Sequence, residues 1–89
     1  MVGWPFDCKW WHGEETRLRN HANKLPWQMR ADLMLMLGRA EQCVMSIMRE
    51  EVACRAAGKQ SEKHRRLIAE FADTHTMLEQ HVMMARLMV

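Results

Sequence analysis

The segment from residue 27 to residue 57 constrains the fold more than any other, because nothing else in the chain is both as long and as apolar. Its apolar residues recur at alternating spacings of four and three, which is the period of one face of an α-helix. The stripe consists of Leu33, Leu37, Ala40, Val44 and Ile47. The segment is therefore predicted to form one long helix.

Within that helix, residues 33–37 are five consecutive apolar residues, Leu-Met-Leu-Met-Leu, whose side chains point in all directions around the axis. Such a turn needs apolar cover on every side. A chain of 89 residues buries only about 60 to 65% of the surface of its unfolded form, so it has little core with which to provide that cover. We therefore expect a second copy of the chain to complete the fold.

The ends of the long helix carry clear signals. Pro26 is suited to a first helical position, and it disfavours helical geometry at Leu25. Gly58 is placed to adopt the left-handed conformation that ends a helix, and Ser61 is a good N-terminal cap for the next one. These signals predict two helices, residues 27–57 and 61–88, joined by a tight turn.

The C-terminal segment has an equally regular stripe at four-three spacing: His64, Ile68, Phe71, His75, Leu78, Val82, Ala85 and Val89. A parallel stripe consists of Leu67, Thr74, His81 and Met88. Such regularity is typical of a helix packed along a long partner helix. A weaker pattern predicts a shorter first helix at about residues 7–24. The expected fold is all-α and a single domain (1–89): a short N-terminal helix and a long antiparallel hairpin, completed by dimerisation into a bundle.

The stripes and the surplus of apolar residues divide the candidate residues into two sets. The predicted core and dimer residues are Leu33, Leu37, Val44, Ile47, Ile68, Phe71, His75, Leu78 and Val82. The predicted partner-binding residues are Trp4, Phe6, Trp10, Met36, Met45, Met83 and Met84. Ten methionines, whose side chains are flexible and adapt to irregular surfaces, suit such an interface. Among the tryptophans, Trp11 and Trp27 are expected to be buried and Trp4 exposed.

The sequence contains no recognisable catalytic motif, so no enzyme activity is expected. His75 is predicted to lie in the core between Phe71 and Leu78, with Glu79 one turn away and able to orient its ring. Two sets of residues have the spacing of metal ligands on a helix: Cys8 with His12, and Met77 with His81, Met84 and Met88. Core packing explains the spacing of the methionine set, and no second pair of ligands accompanies Cys8 and His12. The sequence therefore predicts no metal or cofactor.

The net charge of +2, from 13 basic and 11 acidic residues, is too balanced to indicate a nucleic-acid or membrane-surface protein by itself. Two local basic clusters nevertheless keep nucleic-acid binding as the alternative function: Arg17 and Arg19, and Lys59, Lys63, Arg65 and Arg66. Interspersed acidic residues favour a solvated face instead.

The remaining sequence features concern the compartment. Three cysteines without metal-type spacing suit reduced thiols in a cytoplasmic protein, and the chain has neither a signal-peptide pattern nor a stretch long enough to span a membrane. The predicted function is that of a small, non-enzymatic protein-binding module: an adaptor, a chaperone-like subunit or a small inhibitor. Nucleic-acid regulation and metal binding are the alternatives.

Overall fold

Three helices account for most of the residues that the structure describes. The computed structural model describes residues 4–88, with the backbone alone for the last of these. The helices are α1 (Cys8–Ala22), α2 (Trp27–Ala57) and α3 (Glu62–Met88). The predicted fold class, all-α with a short first helix and a long helical hairpin, is confirmed. The helix boundaries differ from the predicted ones by at most two residues.

The start of α1 is fixed by Asp7, whose side chain accepts a hydrogen bond of 3.0 Å from the backbone N–H of Trp10. This bond satisfies one of the free amides at the helix N-terminus. At the other end, the amides of Asn23 and Leu25 donate to carbonyls of the last turn of α1. Pro26 precedes the first residue of α2, so the connection between α1 and α2 is short.

The turn between α2 and α3 matches its sequence signals. Gly58 has φ +73°, the left-handed conformation in which a side chain would be strained, and the amides of Gly58 and Lys59 close the last turn of α2. Ser61 caps α3, because its hydroxyl accepts a bond from the amide of His64 (3.1 Å) and donates to Glu50 Oε2 (2.6 Å). The turn is thereby tied to both helices.

Helix α1 lies along one side of the α2–α3 hairpin. It runs antiparallel to α2, since Cys8 contacts Met48 and Trp11 bonds to Glu41 further back along α2. It therefore runs parallel to α3. The assembled bundle measures 48 × 19 × 18 Å. Among the described residues α1 is the only helix that packs on the hairpin, so the side of the hairpin opposite α1 has no helix covering it.

The core lies between the three helices and is centred on Phe71, which is fully buried. The rings of Phe6 and Trp11 meet Phe71 edge to face, each with a centroid distance of 5.2 Å. Aromatic pairs in this geometry contribute about 0.5 to 1.5 kcal/mol beyond the area they bury. The core continues through the predicted stripes of α2 and α3 and along one face of α1, with these residues also buried: Leu18, Ala22, Leu33, Leu37, Ala40, Val44, Ile47, Leu78, Val82 and Ala85.

One polar pair is buried near the hairpin turn. Glu51 Oε2 lies 2.9 Å from His64 Nε2, and both side chains are inaccessible to solvent or nearly so. The same oxygen accepts a bond of 2.7 Å from the backbone amide of Phe6, and the other ring nitrogen of His64 bonds to Gln60 at 2.9 Å. Both members of this buried pair thus have hydrogen-bond partners, and the segment before α1 is anchored to the end of the hairpin.

Two sequence-based assignments are wrong. Phe6 was assigned to the partner-binding surface but is only 5% exposed, because its anchored backbone carries the ring onto Phe71. Trp27 was expected to be buried but is 70% exposed. At 100° per residue, its position on α2 is about 120° away from the Leu33 stripe, so its ring cannot reach the core.

Two further predicted core residues lie at the edge of the core. Ile68 is half-buried and packs against the core cluster. His75 keeps 23% of its side chain exposed, and its ring reaches towards α1. The remaining predicted core residues are buried within a single chain. Their burial therefore requires α1 and the hairpin alone.

Within the part of the chain that the structure covers, none of the helices has both the length and the apolar character needed to cross a membrane.

Candidate functional site

The most prominent surface feature is the number of large apolar side chains left exposed. Among residues 4–88 there are twelve, which is a large set beside the core of so short a chain. They are Trp4, Trp10, Trp27, Met34, Leu35, Met45, Met48, Val52, Met77, Met83, Met84 and Leu87. Scattered exposed residues need no explanation, but most of these residues fall into two groups on defined helix faces.

The first group is a stripe along α2, here called the outer α2 stripe: Trp27, Met34, Met45, Met48 and Val52. The spacings are 7, 11, 3 and 4, all close to whole numbers of helical turns, so these side chains share one face. The stripe borders α1, because Cys8 Sγ lies 3.0 Å from Met48 Sδ. Trp4 and Trp10, about 40% exposed, lie at the same end of α1.

The second group lies where no helix covers the hairpin. Residues two positions apart on a helix point about 200° apart. Since His75 and Glu79 of α3 face α1, Met77 and His81 must face away from it. The seam is the line along which α2 and α3 meet on the side away from α1. We define the open hairpin face as the half-buried or exposed side chains along this seam: Met36, Cys43, Leu67, Met77, His81 and Met84.

The seam of the open hairpin face is closed at Cys43, whose thiol donates to the carbonyl of Leu67 at 3.3 Å. Burial raises the pKa of the Cys43 thiol, so it stays protonated and apolar at neutral pH. Towards the turn, the groove beside Leu67 is lined by Ser46, Glu50 and Lys63. The open hairpin face therefore has an apolar centre and a rim that carries both signs of charge.

Of the six residues predicted to bind nucleic acid, three form ion pairs and the other three are exposed near the turn between α2 and α3. Arg17, Arg19 and Arg65 each pair with a glutamate on their own helix. Lys59, Lys63 and Arg66 are exposed near the turn, where Glu50, Glu62 and Glu70 are interspersed with them. The basic clusters are thus largely balanced by neighbouring acids. No continuous basic surface is formed by these six residues.

A cluster of polar side chains joins α1 to α3. His75 Nε2 lies 2.7 Å from Glu14 Oε2 and 3.7 Å from Glu79 Oε1. Arg17 donates to both oxygens of Glu14, at 3.0 and 3.1 Å, and also pairs with Glu79. The cluster thus contains two carboxylates, one imidazole and one guanidinium, all at the boundary between the core and solvent.

The ion pairs of this cluster change the acidity of Glu14. Hydrogen bonds from Arg17, assisted by His75, lower the pKa of the Glu14 carboxyl from 4.5 to about 2, although its partial burial acts in the opposite direction.

A second pair of carboxyl groups, Glu15 and Glu41, lies outside this cluster, and its two pKa values move in opposite directions. The hydrogen bond that Glu15 shares with Glu41 raises the pKa of Glu15 and lowers that of Glu41, which also accepts a bond of 3.0 Å from Trp11 Nε1.

The metal-ligand spacings seen in the sequence do not produce a larger ligand set. Cys8 and His12 are both exposed, and within residues 4–88 no other His, Cys, Asp or Glu ligand atom completes a three-member group with them. Met77 and Met84 are exposed on the open hairpin face beside the half-buried His81, while the side chain of Met88 lies outside the described part. One group of three does occur, namely Glu14, His75 and Glu79.

Sequence reasoning found only part of this cluster. The spacing of four residues between His75 and Glu79 indicated that they could interact. Glu14 was missed because it is 61 residues away from His75, and only the docking of α1 onto α3 brings the two together. For the same reason the sequence did not reveal that Glu51, on α2, is the buried partner of His64.

Comparisons with protein-family models, curated proteins and solved structures found no match to this chain.

Proposed function

We propose that this protein is a small, non-enzymatic, homodimeric module that binds a larger protein and modulates its activity or assembly. The observation that carries the proposal is the presence of two separate apolar surfaces, the outer α2 stripe and the open hairpin face, on a chain of 89 residues. If the protein bound a single partner through one of these surfaces, the other apolar surface would stay exposed to solvent. We assign the open hairpin face to a second copy of the chain and the outer α2 stripe to the partner protein.

The open hairpin face suits a second copy because its rim carries both signs of charge. Within one groove Lys63 lies beside Glu50, and Glu70 follows on the same side of α3. In a two-fold symmetric dimer the same patch appears on both subunits, so a rim of mixed sign can pair with itself. Covering the hairpin with another hairpin also yields a helical bundle, which buries Met77 and Met84.

The outer α2 stripe suits a protein partner because it is long, apolar and rich in methionine. Its side chains adapt to irregular partner surfaces, and Trp27, 70% exposed, is a large ring at one end of it. Tryptophan is enriched among the residues that dominate binding energy at protein interfaces. Adaptors, chaperone-like subunits and small inhibitors all bind through surfaces of this kind.

Sedimentation equilibrium at micromolar concentration tests the dimer. We expect the wild-type chain to sediment at about twice its mass of 10.6 kDa and M77K to sediment as a monomer, because a lysine would be buried at the centre of the interface. M83K is the matched control, since Met83 is on the same helix but outside the open hairpin face. A wild-type monomer, or equal dissociation of both variants, would contradict the assignment.

Affinity capture with mass spectrometry tests partner binding. A protein that copurifies with the wild-type chain should be lost with M45K, which places a charge in the outer α2 stripe, and retained with A53K, which adds the same charge to another exposed face of α2. Capture of nucleic acid instead, with steep salt dependence that K63Q and R66Q reduce, would favour the nucleic-acid alternative.

A further inference from the structure

The cluster between α1 and α3 brings three potential metal ligands together. They are Glu14, His75 and Glu79, and one donor atom from each lies within 4.8 Å of the other two. Ligands bound tetrahedrally to an ion such as Zn²⁺, at about 2.0 to 2.2 Å, are separated by about 3.4 Å. The observed separations from His75 Nε2, 2.7 and 3.7 Å, lie on either side of that value. The separations that involve His75 therefore need adjustments of less than 1 Å, and the two carboxylate oxygens, within 4.8 Å of each other, need to approach by at most about 1.4 Å.

We propose that Glu14, His75 and Glu79 form a binding site for a divalent transition-metal ion of the Zn²⁺ class. The proposal is independent of the two apolar surfaces, because none of these residues belongs to the outer α2 stripe or the open hairpin face. The site joins two helices that are far apart in the chain. A bound ion would therefore link α1 to α3.

The ligands are held on rigid elements. His75 and Glu79 are separated by one turn of α3, and the His75 ring packs against the rings of Trp10 and Phe71 at centroid distances of 5.3 and 6.0 Å. Glu14 lies on α1 between the buried residues Trp11 and Leu18. A site carried on two packed helices, with its imidazole positioned by core rings, loses less conformational freedom when an ion binds than a site on loops would.

The donor set indicates the class of metal. One imidazole nitrogen and two carboxylate oxygens suit Zn²⁺, Co²⁺ and related ions, whereas Mg²⁺ and Ca²⁺ prefer oxygen ligands alone and Cu⁺ prefers sulfur. Two carboxylates also neutralise the charge of a divalent ion. Three protein ligands leave a fourth position that a water molecule can occupy at this solvent boundary.

Arg17 already places a cation against both carboxylates of this cluster. Its guanidinium holds Glu14 through two hydrogen bonds and also pairs with Glu79. Its side chain is 44% exposed, so it can turn into solvent without disturbing the core. Metal binding would therefore be an exchange of the guanidinium for the metal ion, and Arg17 would weaken the affinity for metal by competing for both carboxylates.

Titration with Zn²⁺ by calorimetry and with Co²⁺ by visible absorption tests the site, using the full chain with the exposed thiol removed by C8S. We expect one ion per chain and a Zn²⁺-induced rise in Tm. H75Q and E79Q should each weaken binding at least tenfold, as the loss of a ligand requires. E62Q is the matched control, because Glu62 is an exposed glutamate on the same helix, and it should leave the affinity unchanged.

R17Q provides an independent test, since it keeps all three ligands and removes only the competing guanidinium. It should raise the affinity for Zn²⁺ severalfold, while far-ultraviolet circular dichroism remains that of the wild-type fold. The proposal is overturned if the C8S chain binds no ion, if H75Q and E79Q bind as tightly as E62Q, or if R17Q binds Zn²⁺ no more tightly than the parent chain.

Discussion

At the scale of single residues, Phe71 has the largest structural role. Its ring is fully buried and meets the rings of Phe6 and Trp11 edge to face, so it joins α3 to α1 and to the segment before α1. We expect Phe71→Ala to lower the free energy of unfolding by about 3 to 5 kcal/mol, because the substitution leaves a cavity that rigid neighbours cannot fill. Chemical denaturation followed by circular dichroism measures the change.

The control for this substitution is Met77→Ala on the same helix. Met77 is 54% exposed, so its truncation should change the stability of the monomer by less than about 0.5 kcal/mol. Measurements at low protein concentration separate this effect from any change in association. Equal losses for the two variants would show that Phe71 is not the centre of the core.

Glu14 makes the free energy of unfolding depend on pH in the acid range. Its pKa is about 2 in the folded chain, below its ordinary value of 4.5, because Arg17 and His75 bond to the ionised carboxylate. The unfolded chain therefore binds a proton at higher pH than the folded one. The stability that Glu14 contributes is fully present above about pH 4.5 and is lost as the pH falls towards 2.

Unfolding curves of the wild-type chain and Glu14→Gln between pH 2 and pH 7 measure this contribution. The wild-type chain should be the more stable of the two at neutral pH, and the difference should shrink as the pH falls from 4.5 to 2. A difference that stays constant over that range would mean that Glu14 is not held by charged partners in solution.

At the scale of the helices, α2 has one glycine within it and another directly after its last residue, and the two have opposite expected effects. Gly38 lies within the helix, and a Cβ added there would meet no atom within 4 Å, so Gly38→Ala should stabilise the chain by about 0.5 to 1 kcal/mol. Gly58 ends the helix at φ +73°, and Gly58→Ala should destabilise it by about 1 to 2 kcal/mol. Thermal unfolding of the two variants side by side gives both values.

The same pair of substitutions tests whether Gly38 has an additional role. If a partner protein packs closely against α2 at this position, Gly38→Ala would stabilise the isolated chain and yet weaken the complex. If Gly58→Ala instead leaves stability unchanged, the left-handed turn between α2 and α3 is not maintained in solution.

The elements were more predictable from the sequence than the contacts between them. The four-three stripes, Pro26, Gly58 and Ser61 act locally, so the positions and ends of α2 and α3 followed from short-range patterns. The exposure of Trp27 follows from its angle on α2, about 120° away from the Leu33 stripe, and could have been predicted from the sequence. The burial of Phe6 instead depends on how the segment before α1 docks on the hairpin. A pattern within one helix carries no information about that docking, and the partners of His75 and His64 were missed for the same reason.

At the scale of the whole molecule, the four tryptophans report the arrangement of the helices. Trp11 is 4% exposed, Trp4 and Trp10 are about 40% exposed, and Trp27 is 70% exposed. Quenching by acrylamide, measured on variants that each retain one tryptophan, should therefore be weakest for Trp11 and strongest for Trp27. The reverse order for these two would mean that α1 does not lie on the hairpin as described.

Acrylamide quenching measured at a low and a high protein concentration also tests which surface joins two copies of the chain. Quenching of Trp11 should be the same at both, because its surroundings belong to one chain. If the outer α2 stripe rather than the open hairpin face joins two copies, Trp27 would become protected as the concentration rises. Its quenching therefore distinguishes the two assignments.

The docking of α1 onto α3 has a consequence for synthesis on the ribosome. Trp11 and Phe6 are buried against Phe71, which is made 60 residues after Trp11. At a translation rate of about 5 to 20 residues per second, Trp11 is synthesised roughly 3 to 12 s before Phe71. During that interval the rings of Phe6 and Trp11 lack the Phe71 contact that helps to bury them in the finished protein.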